Sequence, residues 1–252
     1  MHTHGWGHIH IGPWLRNEQS KRFYYFFFKP NTNFCGFAIR RLANKWGRHK
    51  IILEPDLRLA QDLELATYVY AKVPSKTDYF IDLRGSEDFL RKELLSTLRS
   101  KHQTTVKNFE AYPIALHVRR GDFSQGGRTL TSEEYFIDVA KKLQQKAGKH
   151  LEIRVFSDAR PDEIAKLLAL PNVSMATPKP DVIELFEMSK AKIIVTSLGS
   201  TFGYWAAFLS TADVILDTRH EFGKIRCAEI DRHYEGGIDQ FLSLNDDTGN
   251  LW

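Results

Sequence analysis

An α/β fold built on a parallel, doubly wound, Rossmann-like sheet is predicted by three observations on this 252-residue chain. From about residue 113, apolar runs of strand length alternate with amphipathic stretches of helix length. The helical stretches open on hydroxyl residues or on proline followed by acids, which are helix-start signals. The polar residues with chemistry gather where strands end, and in open parallel sheets that edge is where ligands bind.

The elements follow in order. Residues 113–118 are an apolar run of strand length, and Thr131 with Glu134 matches a capping box for a helix to about residue 146. Residues 151–157 alternate like a strand. Pro161, Asp162 and Glu163 make a first helical turn, with the helix reaching about residue 170. Residues 172–176 are a short strand, and Pro180-Asp181 open a helix that ends near residue 190. Residues 192–197 are a β-branched strand, Ser200 or Thr201 caps a helix through 209, and residues 214–217 are a fifth strand. Helical crossovers between parallel strands place helices on both faces of the sheet.

The first part of the chain is less regular. Residues 23–28 read as a buried strand, 56–72 as a helix, 79–83 as a strand, and Ser86 as the cap of a helix to about residue 100. The polar stretch 101–110 is the expected boundary between an N-terminal lobe, 1–110, and a Rossmann-like lobe, 111–252. The segment after Arg219 has weak periodicity and is expected to fold back onto the first half.

The strand ends carry the chemistry. The first delivers His117, Arg119, Arg120 and Asp122, the second Ser157 and Asp158, the third Thr177, and the fourth Ser197. Ser200, Thr201 and Phe202 then begin a helix, whose N–H groups and dipole favour an anion. Arginine pairs bidentately with phosphate oxygens. The alternatives are a solvated arginine turn, an ion pair of Arg119 with Asp122 or a neighbouring loop, a packed His117, and Asp158 as a helix cap.

Net charge is +4 and the sequence pI about 8.9, which suits an anionic small molecule better than nucleic acid. No run approaches the ~18 apolar residues of a membrane span, and the N-terminus lacks the pattern of a secretory signal. A location in the cytoplasm or peripheral to a membrane is expected. Cys35 and Cys227 form no disulfide framework. His2, His4, His8 and His10 read as a frayed end or a strand with alternating histidines, with metal binding as the alternative. The motif region offers no metal set, so no metal is expected there.

The motifs carry a resemblance. His117-Val118-Arg119-Arg120-Gly121-Asp122-Phe123 resembles the first motif of the α1,2-fucosyltransferases, glycosyltransferase family 11. Glu134-Tyr135-Phe136, Phe156-Ser157-Asp158, Asp181 through Met188-Ser189, and the segment from Gly199-Ser200-Thr201-Phe202 to Ala207 are similar to later family motifs, in family order. The family's Asn before Ser-Thr-Phe is Gly199 here, and its Trp-Trp is Tyr204-Trp205.

That resemblance implies a two-lobed GT-B-like enzyme. It would move fucose from GDP-fucose to a galactoside hydroxyl in α1,2 linkage, with inversion and without a required metal or other cofactor. It implies Arg119 or Arg120 on the diphosphate, with Asp158, Ser200 and Thr201 lining the nucleotide site; the strand-end reading adds Ser157, Thr177 and Ser197 as donor-site candidates, and Phe202 reads as a donor-site or a core residue. His117, Arg120 and Asp122 are the catalytic candidates. The implied partners are a nucleotide-sugar donor and a glycan acceptor. The family's Gly-Gly-Leu-Gly-Asn-Gln turn has no counterpart, which implies an incomplete or diverged N-terminal lobe. Two other readings follow: a relative that binds nucleotide or glycan without turnover, and a transferase of the same fold using another nucleotide sugar.

Overall fold

The computed structural model describes residues 27–29, 77–121, 129–147, 150–227 and 233–245, and the backbone of 51–53 and 67–69. Among these residues, six strands form one parallel sheet: β3 (Tyr112–Val118), β4 (Ile153–Ser157), β5 (Val173–Met175), β6 (Ala191–Thr196), β7 (Asp213–Ile215) and β8 (Glu235–Gly236). A separate parallel pair joins β1 (Ile51–Leu53) to β2 (Thr67–Val69). The large sheet has the order β5-β4-β3-β6-β7-β8. The chain starts at the centre, winds outward through β4 and β5, returns to the other side of β3 as β6, and winds outward again. The direction of winding reverses between β3 and β6, which is the topological switch point where such sheets bind ligands.

The helices among the described residues are α1 (Glu87–Thr97), α2 (Ser100–Lys107), α3 (Glu133–Ala147), α4 (Ala165–Leu168), α5 (Asp181–Met188), α6 (Thr201–Phe208) and α7 (Ile238–Leu244). A single 3₁₀ turn, Pro161–Ile164, leads into α4. Every residue of β3 except Pro113 is buried, as a central strand covered on both faces requires. On one face Ile114, Leu116 and Val118 pack with Ile193 and Val195 against Phe136, Val139 and Leu143 of α3 and Phe241 of α7. On the other, Ala115 and Ile194 meet Met188 of α5 and Ala206 of α6. Burial of one such Leu, Ile or Phe side chain contributes about 1.5–3 kcal/mol.

Several elements depart from expectation. Residues 79–83 form turns, not a strand: Leu83 and Arg84 both donate backbone N–H groups to the Phe80 carbonyl. Asp78 accepts the Phe80 amide and pairs with Arg84, which favours the turn. Phe80 is buried between Trp205 and Phe208, Tyr79 and Leu83 pack at the edge of the same cluster, and Ile81 is exposed. The helix expected from Ser86 to residue 100 ends at Thr97, because Leu98 and Arg99 adopt extended backbone. Leu98 is fully buried and bridges antiparallel to Phe28, the described end of the expected 23–28 strand.

Thr67–Val69 is a strand where the helix 56–72 was expected; its aromatic and β-branched composition suits a pleated surface. The polar stretch 101–110 is largely α2. The helix expected to reach residue 170 is the 3₁₀ turn plus the four residues of α4. Beyond Arg219 the chain does return to the first half: Gly223 donates its amide to the Thr77 carbonyl at 2.7 Å, Phe222 stacks on Tyr79, and Cys227 donates its amide to Glu87 at 3.1 Å, before β8 is added beside β7 and α7 against the sheet face. The N-terminal histidines, Cys35 and most of the expected 56–72 helix lie outside the described residues. No helix among the described residues is long and apolar enough to cross a membrane.

Candidate functional site at the carboxyl edge of the sheet

The exit of β3 is tied to both neighbouring strands by serine hydroxyls. Ser197, just past β6, donates from Oγ to the His117 carbonyl at 2.9 Å and accepts the Arg119 amide at 2.8 Å. Ser157, ending β4, donates to the Val118 carbonyl and accepts the Ala159 amide at 3.0 Å. Both side chains, expected to line a donor pocket, are thus committed to backbone partners. They fix the direction in which the two arginines leave the sheet.

Asp158 sets the arginines themselves. One carboxylate oxygen pairs with Arg119 Nη1 at 2.7 Å, and the other accepts the Arg120 amide at 2.7 Å. Arg119 therefore pairs with Asp158 rather than serving alone as a cation, and Asp158 is an arginine-orienting group rather than a helix cap. Gly121 follows with a positive φ of 22°, and an added Cβ would lie 2.2 Å from an Asp158 oxygen. Only glycine permits this close passage of backbone over carboxylate.

Arg120 turns toward backbone carbonyls. Its Nη1 donates to the carbonyls of Arg119 at 3.0 Å and Thr131 at 2.8 Å. Partial burial lowers its pKa, and the carboxylates of Glu133, Asp158, Glu163 and Glu134 oppose that shift. At neutral pH it is a cation held in place by neutral acceptors.

Thr131 is buried and does not cap α3; Ser132 does, accepting the Tyr135 amide at 3.2 Å. The Thr131 hydroxyl instead donates to Asp217 at 3.1 Å and accepts the Leu198 amide at 2.8 Å. Asp217 lies just past β7 and receives the Arg219 fork at 2.9 Å and 2.6 Å. The Arg219 hydrogen bonds hold its carboxyl below the usual aspartate range.

His117 is buried, and desolvation, with Arg119 nearby, lowers its pKa to about 3, so the imidazole is neutral. Its Nδ1 has no hydrogen-bond partner, and its ring lies 5.6 Å from the Phe202 ring. It packs on Gly203 of α6, where an added Cβ would sit 2.7 Å from Nδ1. Its register partner on β6, Thr196, is buried as well, with an unpaired hydroxyl.

The loop before α6 is held from within. Gly199, at φ 66°, donates its amide to the Tyr204 hydroxyl at 2.8 Å, and that hydroxyl contacts His220 Nδ1 at 3.1 Å. Ser200 is buried at the start of α6 with no side-chain capping bond, and Thr201 is exposed. The Thr201 and Phe202 amides open the helix, where N–H groups have no intrahelical acceptor. Thr177 lies past β5, the sheet edge two strands from β3, and is exposed; its carbonyl accepts Lys179 Nζ at 3.3 Å.

Asp122 lies outside the described residues. The edge thus brings together His117, Arg119, Arg120, Asp158, Ser157, Ser197 and the start of α6, with Thr177 following the outer strand β5. Asp217 and His220 belong to the same edge without any sequence signal pointing to them, and Thr131 and Tyr204 join it in roles that their motifs do not announce. Among the described residues no cluster of three or more His, Cys, Asp or Glu side chains could hold a metal ion.

The model of glycosyl transferase family 11 matches residues 64–220. A crystal structure of NodZ alpha-1,6-fucosyltransferase soaked with GDP-fucose is similar over 51% of this chain and 48% of that chain, with 15% identity and a TM-score of 0.37. The matched region spans about half the length of that structure. No curated protein sequence matches the chain.

Proposed function

The chain belongs to glycosyl transferase family 11, and on that premise we propose that it moves fucose from GDP-fucose to a sugar hydroxyl. The observation that carries the reading is the Arg119-Arg120 pair leaving β3 at the switch point, beside the first turn of α6. This is a site for a diphosphate. As the glycosidic bond breaks, negative charge grows on the leaving GDP. Arg120, anchored by Nη1 to two carbonyls, would present its remaining N–H groups to that charge. The opening amides of α6 would supply neutral donors across the cleft. A cation fixed before the reaction stabilises the departing phosphate without reorganisation.

Asp158 would keep Arg119 and the Arg120 backbone aligned with the diphosphate. His117, neutral and buried, would serve as a hydrogen-bonding or packing group at the cleft floor rather than as a cation. In this reading transfer is inverting, forms an α1,2 linkage to a galactoside and needs no metal. Inversion requires a base for the acceptor hydroxyl, and Asp122 is the candidate that the sequence supplies.

The test is transfer of labelled fucose from GDP-fucose to a panel of galactosides, with and without EDTA, beside calorimetry of GDP, UDP and ADP. Preference for GDP and an α1,2-linked product untouched by EDTA are expected. Equal affinity for all three nucleotides refutes the choice of donor, and a strict requirement for Mg²⁺ or Mn²⁺ refutes the metal-free mechanism.

A further inference from the structure

The exits of β3, β6 and β7 meet on Thr131, a residue whose sequence pattern points only to a helix cap. Thr131 makes three polar contacts, each to a different part of the carboxyl edge. Its carbonyl accepts Arg120 Nη1 at 2.8 Å, its hydroxyl oxygen accepts the Leu198 amide at 2.8 Å, and its hydroxyl proton goes to Asp217 at 3.1 Å. The residue is buried, so these bonds are shielded from competing water.

Asp217 is fixed in turn. Arg219 binds both its oxygens through the guanidinium and adds a backbone amide at 3.0 Å. The carboxylate is therefore ionised and immobile, an acceptor of set direction for the Thr131 hydroxyl. With that hydrogen pointed at Asp217, the oxygen lone pairs are left for Leu198. The two hydroxyl contacts anchor residue 131, and its backbone carbonyl is the acceptor for Arg120. Leu198 starts the loop whose Gly199 and Ser200 lead into α6.

We infer that Thr131, braced by Asp217 and Arg219, is a positioning residue that sets the Arg120 guanidinium and the loop before α6 relative to each other. The inference rests on the proposed diphosphate site. Thr131 touches no substrate; it acts through Arg120 and the Leu198 amide. Its loss should release two groups that must face the same diphosphate from opposite sides of the switch point. Misplacement of such groups by about 1 Å can lower turnover roughly 10²-fold.

The experiment compares Thr131→Val, which keeps shape and removes the hydroxyl, with Thr131→Ser, which keeps the hydroxyl, in the full chain. Thr131→Val should lower turnover at least about tenfold while the donor KM changes less than about threefold, because the groups act most on the departing charge. Thr131→Ser should stay within about threefold of wild type. In an Arg120→Ala background Thr131→Val should add less than about threefold, whereas a merely structural loss would multiply the two effects.

Hydrogen exchange at the Leu198 amide reads the brace without any ligand and should accelerate at least about tenfold in Thr131→Val but not in Thr131→Ser. If Thr131→Val does not fold, Asp217→Asn takes its place, with the same exchange and the same non-additivity expected. Unchanged Leu198 protection overturns the brace whatever the activity. Lost protection with unchanged turnover overturns its coupling to the site. Lost protection in a chain whose wild type neither binds GDP nor transfers fucose supports the brace and refutes the fucosyltransferase reading.

Discussion

Asp158 engages two consecutive arginines through different atoms: the side chain of Arg119 and the backbone amide of Arg120, each at 2.7 Å. One carboxylate thus fixes a guanidinium and the main chain that carries the next one. Removing it should disturb both. Asp158→Ala is expected to weaken GDP binding about tenfold, in keeping with ~1.5 kcal/mol for charge-assisted hydrogen bonds at a partly exposed site. Asp158→Asn should retain part of the affinity, since its carbonyl can still accept the Arg120 amide. Calorimetry with GDP checks both, and wild-type affinity in Asp158→Ala would remove the aspartate from the site.

Arg120 should matter more to turnover than to ground-state binding. Arg120→Ala is expected to lower kcat roughly 10²–10³-fold, by analogy with loss of a preorganised charge-stabilising donor. Arg120→Lys should recover only a fraction, because an ammonium cannot bond two carbonyls and a phosphate through one planar fork. Steady-state kinetics on folded variants decides; equal losses in KM and kcat would mean that Arg120 binds donor and transition state alike.

Gly203 is required by His117 rather than by its own backbone. A Cβ there would lie 2.7 Å from the imidazole Nδ1 and 3.2 Å from Cγ. Gly203→Ala is expected to destabilise the fold by about 1–3 kcal/mol through overpacking. The same change in a His117→Ala background should be nearly neutral. Urea unfolding of the four proteins measures the coupling, and additive losses would show that the clash lies elsewhere.

Stability should fall in mild acid. The folded-state pKa of His117, about 3, lies below its ordinary 6.5, so between these values the unfolded chain binds the proton and the folded one does not. Stability is therefore lost as pH falls from about 6.5 toward 3, with a slope from this residue approaching ~1.4 kcal/mol per pH unit. His220 and His102, also lowered by desolvation, add slope of the same sign. Asp217 and Asp78, lowered by their arginine partners, contribute stability that is lost only as pH falls below 3.8. Between pH 6 and 4.5, His117→Gln should flatten the dependence of unfolding free energy on pH; an unchanged slope would place a solvated, titrating imidazole at this position.

The alternation of apolar and amphipathic stretches made the central strands legible, along with the edge on which their polar ends meet. What the serines there do was not legible. Whether Ser157 and Ser197 face a ligand or the backbone depends on the register of β3 against β4 and β6, pairings between segments far apart in sequence. Thr131-x-x-Glu134 fits a capping box and so points to Thr131 as the cap. The neighbouring Ser132 takes that role, and local pattern cannot rank two adjacent hydroxyls. Residues 79–83 carry strand-like composition, yet one aromatic anchor, Phe80, and the Asp78–Arg84 pair make them a turn. β8 is two residues long, too short for any periodicity to announce it.

The placement of β3 in the middle of the sheet also bears on synthesis. Arg119 waits for Ser197, 78 residues further along, and Thr131 waits for Asp217, 86 residues further along. At ribosomal speeds of roughly 5–20 residues per second, the arginine segment is made about 4–16 s before its staple exists. During that interval a nascent β3 can pair with β4 but has an open edge where β6 belongs. The carboxyl edge therefore assembles late and as a unit, and a ribosome-stalled chain ending before residue 197 should show no affinity for diphosphate.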